Sequence, residues 1–276
     1  MSFLKLVNFE IRRFAKIYGV LVLLAVGLQL IGTVVVSKMY AAGAFAEMRV
    51  LNQSIEEFSK GMKFKMDFTY ILSSMWTLAP IALCICALLF YIFFIWYRDW
   101  FAANAFIYRL LMLPSARMNL FLSKAAAIFL MTVTLVGIEA LLLPVENSLF
   151  QSIVPYQIRN NFPLSDSIDR SMIFTILLPK SLTEFIVYYG VGLAAVLVIF
   201  TAILFERSFK MQGIILGIIY CCLILAFLLI PVILLSDLIG YLYPSEIILV
   251  ELGLIVVSAA VSVLTSRYLI NKKITV

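Results

Sequence analysis

The chain has 276 residues, 64% of them hydrophobic and 13% charged, with a net charge of +6 and a mean hydropathy of +1.10. A soluble domain is about 25% charged, so this chain has too little charge to cover a water-facing surface, and soluble-enzyme and disordered classes are excluded. Histidine is absent, which removes Ser–His and Cys–His catalysis, His-ligated haem and HExxH zinc sites. The four cysteines, Cys84, Cys86, Cys221 and Cys222, all lie in long apolar runs. They are read as small apolar residues of membrane helices, with no disulfide framework and no CxxC metal site.

Residues 2–16 (SFLKLVNFEIRRFAK) are amphipathic. Phe3, Leu4, Val7, Ile11 and Phe14 share one side, while Lys5, Asn8, Arg12 and Lys16 fall mostly on the other. The pattern predicts a helix lying in the membrane interface. A helix crosses the hydrocarbon core with about 20 apolar residues. Such runs predict six spans, at about 17–37, 70–97, 124–143, 185–205, 211–235 and 247–266. The first exceeds the roughly 7–15-residue core of a signal peptide and is read as a retained span. Between the spans lie two longer segments of one side, 38–67 and 144–183. The second carries Asn147, Asn160, Asn161, Pro155 and Pro163; short surface helices and a flexible loop both fit it. A short turn from Ser236 to Glu246 holds Tyr241 and Tyr243, suited to the interface belt.

Charge sets the direction. With the N-terminus inside, the inner segments hold Lys5, Arg12, Arg13, Lys16, Arg98, Arg109, Arg117, Lys124, Arg207, Lys210, Arg267, Lys272 and Lys273. Against them stand only Glu10, Asp99 and Glu206. The positive-inside rule therefore predicts a multi-pass cell-membrane protein, of bacterial plasma-membrane type, with both termini cytoplasmic. The cations are spread over separate segments and suit lipid headgroups, with no nucleic-acid signal.

The most informative stretch is 98–123, with the following Lys124: RDWFAANAFIYRLLMLPSARMNLFLSK. It is too long for a simple turn. Residues 103–113 predict a short helix with Phe106, Leu110 and Leu113 on one face and Tyr108, Arg109 and Asn104 as polar contacts. Pro114 stops it, and Ser115 is suited to cap the next. A rigid helix held at the inner surface is a lever on which a partner can push. The order Arg98-Asp99, short helix, Leu110-Leu111-x-Leu113-Pro114-x-x-Arg117, then Lys124 at the start of a span resembles the first cytoplasmic loop of ABC exporter permeases of the type-two class. The amphipathic N-terminus, the six-span plan and the basic tail from Arg267 to Lys273 are similar to that family too.

The resemblance implies an all-α polytopic permease whose cytoplasmic coupling helix docks on a separate ATPase. It implies coupling contacts at Arg98, Asp99, Tyr108, Arg109, Leu113, Pro114 and Arg117, with the short link at Glu206 and Arg207 either a secondary contact or a tight turn. It also implies a second permease copy or a related permease as partner, besides lipids, and ATP with magnesium on the ATPase. This chain itself is read as no enzyme and as holding no cofactor: it has no GxxxxGKS phosphate loop.

Glu139 and Glu251 are charges inside predicted spans, where a charge costs several kcal/mol or takes a partner. Counting about 1.5 Å per residue from Lys124 and Arg267 puts both in the outer third of the bilayer. Either they line an outward translocation path, or they reach headgroups and pair within the bundle. Gly213 and Gly217 form a GxxxG pair, the pattern of close helix packing. Two other classes stay open: a secondary transporter, and a sensor or assembly subunit without an ATPase of its own.

Overall fold

A computed structural model describes residues 3–62, 64–101, 117–209, 211–233 and 244–273. Among them there is no strand, and six helices are long and apolar enough to cross a membrane. The chain is an all-α polytopic membrane protein. In order the elements are α1 (Phe3–Leu51), α2 (Ile55–Gly61), α3 (Phe68–Leu72), α4 (Met75–Phe101) and α5 (Arg117–Ile153). A 3₁₀ turn (Tyr156–Ile158) follows, then α6 (Leu164–Asp169), α7 (Met172–Leu177), α8 (Leu182–Phe209), α9 (Met211–Ile233) and α10 (Pro244–Lys272).

Several boundaries differ from the sequence expectation. The 2–16 stretch and the first span are one helix: α1 is 49 residues long, more than twice the roughly 20 that a crossing needs. No proline interrupts it, so hydropathy changes along it while the backbone does not. Phe3 and Leu4 are exposed, as an interfacial helix leaves them, but Leu6, Val7, Glu10 and Phe14 are buried in protein. Residues 38–51 of the 38–67 segment continue α1. The helix ends at Asn52, whose φ of 53° is the left-handed conformation that stops helices and that Asn tolerates. The second span begins at Met75, because Ser73 and Ser74 separate α3 from α4. Of the 98–123 segment, 98–101 belongs to α4 and 117–123 to α5. The predicted helix at 103–113, with Pro114, lies outside the described residues.

The chain divides into two compact units, Met1–Phe14, Leu88–Met131 and Lys180–Val276 forming one, and Ala15–Ala87 with Thr132–Pro179 the other. In the first unit α8 packs on both α9 and α10. Polar side chains stitch these apolar helices together. Thr201 Oγ1 meets Ser266 Oγ at 2.9 Å and donates to its own Leu197 carbonyl at 2.7 Å, and Tyr220 meets Ser262 Oγ at 2.8 Å. An aromatic cluster of Trp96, Phe121 and Phe200 joins α4, α5 and α8, with Trp96 edge-on to Phe200 at 5.5 Å.

In the second unit, which takes in 144–179 of the 144–183 segment, the open choice resolves to helices. The first ten of those residues extend α5, whose Pro144 lies inside the helix, and the 3₁₀ turn, α6 and α7 follow. Met66, Ile71, Phe150, Ile158 and Phe174 are at most 1% exposed in their shared core, each such side chain contributing about 1.5–3 kcal/mol. Tyr40 ties the segments: its hydroxyl donates to the Ile158 carbonyl at 2.8 Å and accepts from the Met66 amide at 3.2 Å. Arg159 donates to the Gln151 and Val154 carbonyls, a cation capping the C-terminal end of α5. Ser54 and Glu57 close a reciprocal capping box at the start of α2.

Candidate functional site

The site is a cluster of five charged side chains within the first unit, contributed by α1, α4 and α5. Glu10 stands between Val7 and Phe14 on the buried side of α1. A carboxylate there requires a cation. Lys124, near the start of α5, supplies it. Its ammonium donates to Glu10 Oε1 at 2.8 Å, to Asp99 Oδ2 at 2.5 Å and to the Ile95 carbonyl at 3.1 Å. All three of its protons are thereby used. Arg98 Nη2 donates to Glu10 Oε2 at 3.0 Å, and Arg13 Nη1 to Asp99 Oδ1 at 2.8 Å. Each carboxylate oxygen thus faces a cation.

Lys124 and Asp99 are 0% exposed and Glu10 1%, while the two arginines remain partly open at 17% and 23%. Buried ion pairs are satisfied only with such complete geometry, and removing one partner typically costs about 3–5 kcal/mol. The floor is aromatic: Trp96 lies 5.4 Å beneath the Lys124 ammonium, and Phe14 stacks on Tyr91 at 3.8 Å. The cluster locks the residues just before and just after the 102–116 connection onto α1.

Two further ties hold neighbouring helix ends in this unit. Tyr97 donates to the Glu206 carboxylate. The Arg207 guanidinium lies over Tyr97, Trp100 and Phe101, at 4.9 Å from the last, and 3.7 Å from Glu206. This links α4 to α8. Arg117 donates to the Ile270 carbonyl at 3.3 Å, linking α5 to α10.

The structure therefore brings Arg98 and Asp99 into one cluster and engages Arg117, Glu206 and Arg207 with helix ends. As the first predicted contact pair for a partner, Arg98 and Asp99 are already committed inside the bundle, because the buried Glu10 and Lys124 need them. Tyr108, Arg109, Leu113 and Pro114 lie outside the described residues. Glu139, in the second unit, accepts from Gln29 Nε2 at 3.1 Å. Glu251 is half-buried on α10, in the first unit. Gly213 and Gly217 face α8: a Cβ on Gly213 would overlap the Phe205 carbonyl, and one on Gly217 would meet the Ala202 carbonyl at 3.0 Å.

Sequence reasoning missed Glu10, Arg13 and Lys124 as a unit. The signal was present: Glu10 interrupts the apolar side of an amphipathic helix. It also missed Gln29, Thr33, Ser37 and Glu146, all at most 1% exposed in the second unit. Comparison of the chain with protein-family models, with curated proteins and with solved structures finds no match. What fold and site define is a class: a helical membrane protein with six helices long and apolar enough to cross, and a closed, buried charge cluster beside one connection.

Proposed function

We propose that the chain is the membrane-spanning permease subunit of an ATP-driven exporter of the type-two ABC class. It forms half of a translocation path in the cell membrane with a second permease copy or a relative, both termini cytoplasmic. Segment 103–117 is the contact with a separate ATP-binding subunit, which carries ATP and magnesium. Tyr108, Arg109, Leu113 and Pro114 make that contact, and Glu139 and Glu251 border the path.

The observation that carries this reading is the Glu10–Arg13–Arg98–Asp99–Lys124 cluster. A displacement delivered to 103–117 by nucleotide binding reaches helices only through the residues that flank the segment. Those residues are clamped by short ionic hydrogen bonds to α1, so the push turns helices instead of being absorbed by side-chain motion. The two arrangements of the bundle are then biased by nucleotide.

The test is purification from the native membrane in mild detergent with mass spectrometry of what accompanies the chain. A stoichiometric ATP-binding subunit, lost in Arg109→Glu while the permease stays in the membrane, is the expected result. A chain that purifies alone overturns the reading. It would move to the front ion-coupled secondary transport, which the buried carboxyls Glu139 and Glu146 favour, or a sensor or assembly role.

A further inference from the structure

The second unit contains a buried row of oxygens that its own helices do not satisfy. On α1, Gln29, Thr33 and Ser37 recur every fourth residue, so they share one face. They are 1%, 1% and 0% exposed. On α5, Glu139 and Glu146 are seven residues apart and likewise share a face. The hydrogen bond from Gln29 Nε2 to Glu139 Oε1 at 3.1 Å joins the two faces. It also sets their register, since both helices enter this unit and run through it in the same direction, towards the shared core. From that bond Ser37 lies about 12 Å further along α1 and Glu146 about 10.5 Å further along α5. The hydroxyl and the carboxyl therefore come to the same level. Around and beyond them the same two faces pack together, with Tyr40 and Ala44 of α1 and Leu143 and Phe150 of α5 in one core.

Five oxygens of this row have no hydrogen-bond partner among the described residues. Glu146 is 0% exposed and neither of its carboxyl oxygens has a hydrogen-bond partner among the described residues. The same holds for Gln29 Oε1, Thr33 Oγ1 and Ser37 Oγ. The hydroxyls are the telling case. A buried Ser or Thr in a helix ordinarily turns back on a carbonyl of the preceding turn. Thr201, Ser258 and Ser262 do so here, at 2.7, 2.8 and 2.8 Å. Thr33 and Ser37 do not. Three neutral oxygens and one carboxyl are left facing inwards with no cation beside them among the described residues. A group in that state costs several kcal/mol unless something satisfies it.

The geometry points to a binding site for a monovalent alkali cation between α1 and α5, held by Glu146, Ser37 and Thr33. Hard oxygen ligands without nitrogen or sulfur suit an alkali or alkaline-earth ion. No three His, Cys, Asp or Glu side chains gather to hold a metal among the described residues, which sets a transition-metal centre aside. A single carboxylate at the level of Ser37 balances one positive charge. Glu139 does not share that level, being occupied one to two turns away by Gln29. The site stands independently of the ATPase reading.

The test uses the purified full chain in detergent and reads thermal unfolding in sodium chloride against choline chloride at equal ionic strength and mildly alkaline pH. Sodium is expected to raise Tm saturably by about 2–4 °C, the shift corresponding to roughly 1 kcal/mol in a chain of this size. Glu146→Gln is expected to abolish the sodium dependence and Glu251→Gln to leave it intact. Should Glu146→Gln not fold, Ser37→Ala and Thr33→Val carry the comparison and weaken the sodium dependence. Equal Tm in both salts for the unmodified chain overturns the proposal and makes Glu146 a neutral carboxylic acid. So does a sodium effect that survives Glu146→Gln, or survives both hydroxyl variants.

Discussion

At the scale of single residues, the most demanding side chain is Lys124. A fully buried ammonium with three acceptors is stable only with Glu10 and Asp99 beside it. Lys124→Met is expected to destabilise the protein by about 3–5 kcal/mol, read as a large fall of Tm in detergent. Glu10→Gln in the same chain should recover part of the loss, because the orphaned carboxylate is then gone. An unchanged Tm in Lys124→Met would show that the cluster bears no load. Glu57 gives a milder case with a pH signature. Its carboxylate accepts from the Ser54 amide at 3.0 Å, and the bonds to Ser54 hold its pKa below the ordinary carboxylate value. A depressed pKa in the folded state means that its contribution is complete above the unfolded pKa and is lost as pH falls through the folded one. Amide protection at Ile55–Phe58, taken relative to intrinsic exchange at each pH, is therefore expected to fall in acid, and Glu57→Gln to remove that pH dependence. The capping box was missed, yet it was legible in the sequence as Ser54-x-x-Glu57. The partners of Lys124 were not, since Glu10 lies 114 positions away.

At the scale of elements, the informative contrast is between glycines. Gly213 has the α8 backbone where its side chain would be, whereas Gly137 meets nothing within 4 Å. Gly213→Val is expected to force α8 and α9 apart and cost about 1–3 kcal/mol or more. Gly137→Ala should be neutral or stabilise by up to about 1 kcal/mol through helix propensity. Comparable losses in both would mean that only propensity is being measured, and that the α8–α9 approach is not tight. The GxxxG spacing announced a close-packing face, but periodicity alone could not say which helix receives it. Helix ends were the least legible elements. Hydropathy marks where a helix enters lipid, while hydrogen bonding marks where the helix stops, and in α1 and α5 these differ by ten residues or more. The polar row Gln29, Thr33, Ser37 was visible as spacing in the first span. It acquires meaning only beside Glu146, which the sequence reading assigned to an outer segment.

At the scale of the whole molecule, the charge asymmetry of the loops yields a topology that labelling can check. In a variant without native cysteines, an impermeant thiol reagent is expected to modify Asn52→Cys in intact cells and Lys273→Cys only after permeabilisation. The reverse pattern would overturn the orientation. The sequence by itself determined that this is a helical membrane protein with six crossings. That follows because the cost of leaving a backbone amide unbonded in hydrocarbon permits little else for 20-residue apolar runs. It also singled out the 98–124 region, because a long charged connection between spans is costly to build without use. Only the tertiary structure decided which charges are buried. Glu10 read as an ordinary inner-face charge, and Asp99 and Lys124 as positions of the coupling motif, until α1, α4 and α5 come together. Glu146 fell in the 144–183 segment, open between short helices and a loop, until α5 proved to run past it. The physical reason is the same in each case. A transfer cost attaches to a residue type and is written in the sequence. The partner that offsets it is set by packing between distant segments, which local periodicity does not encode.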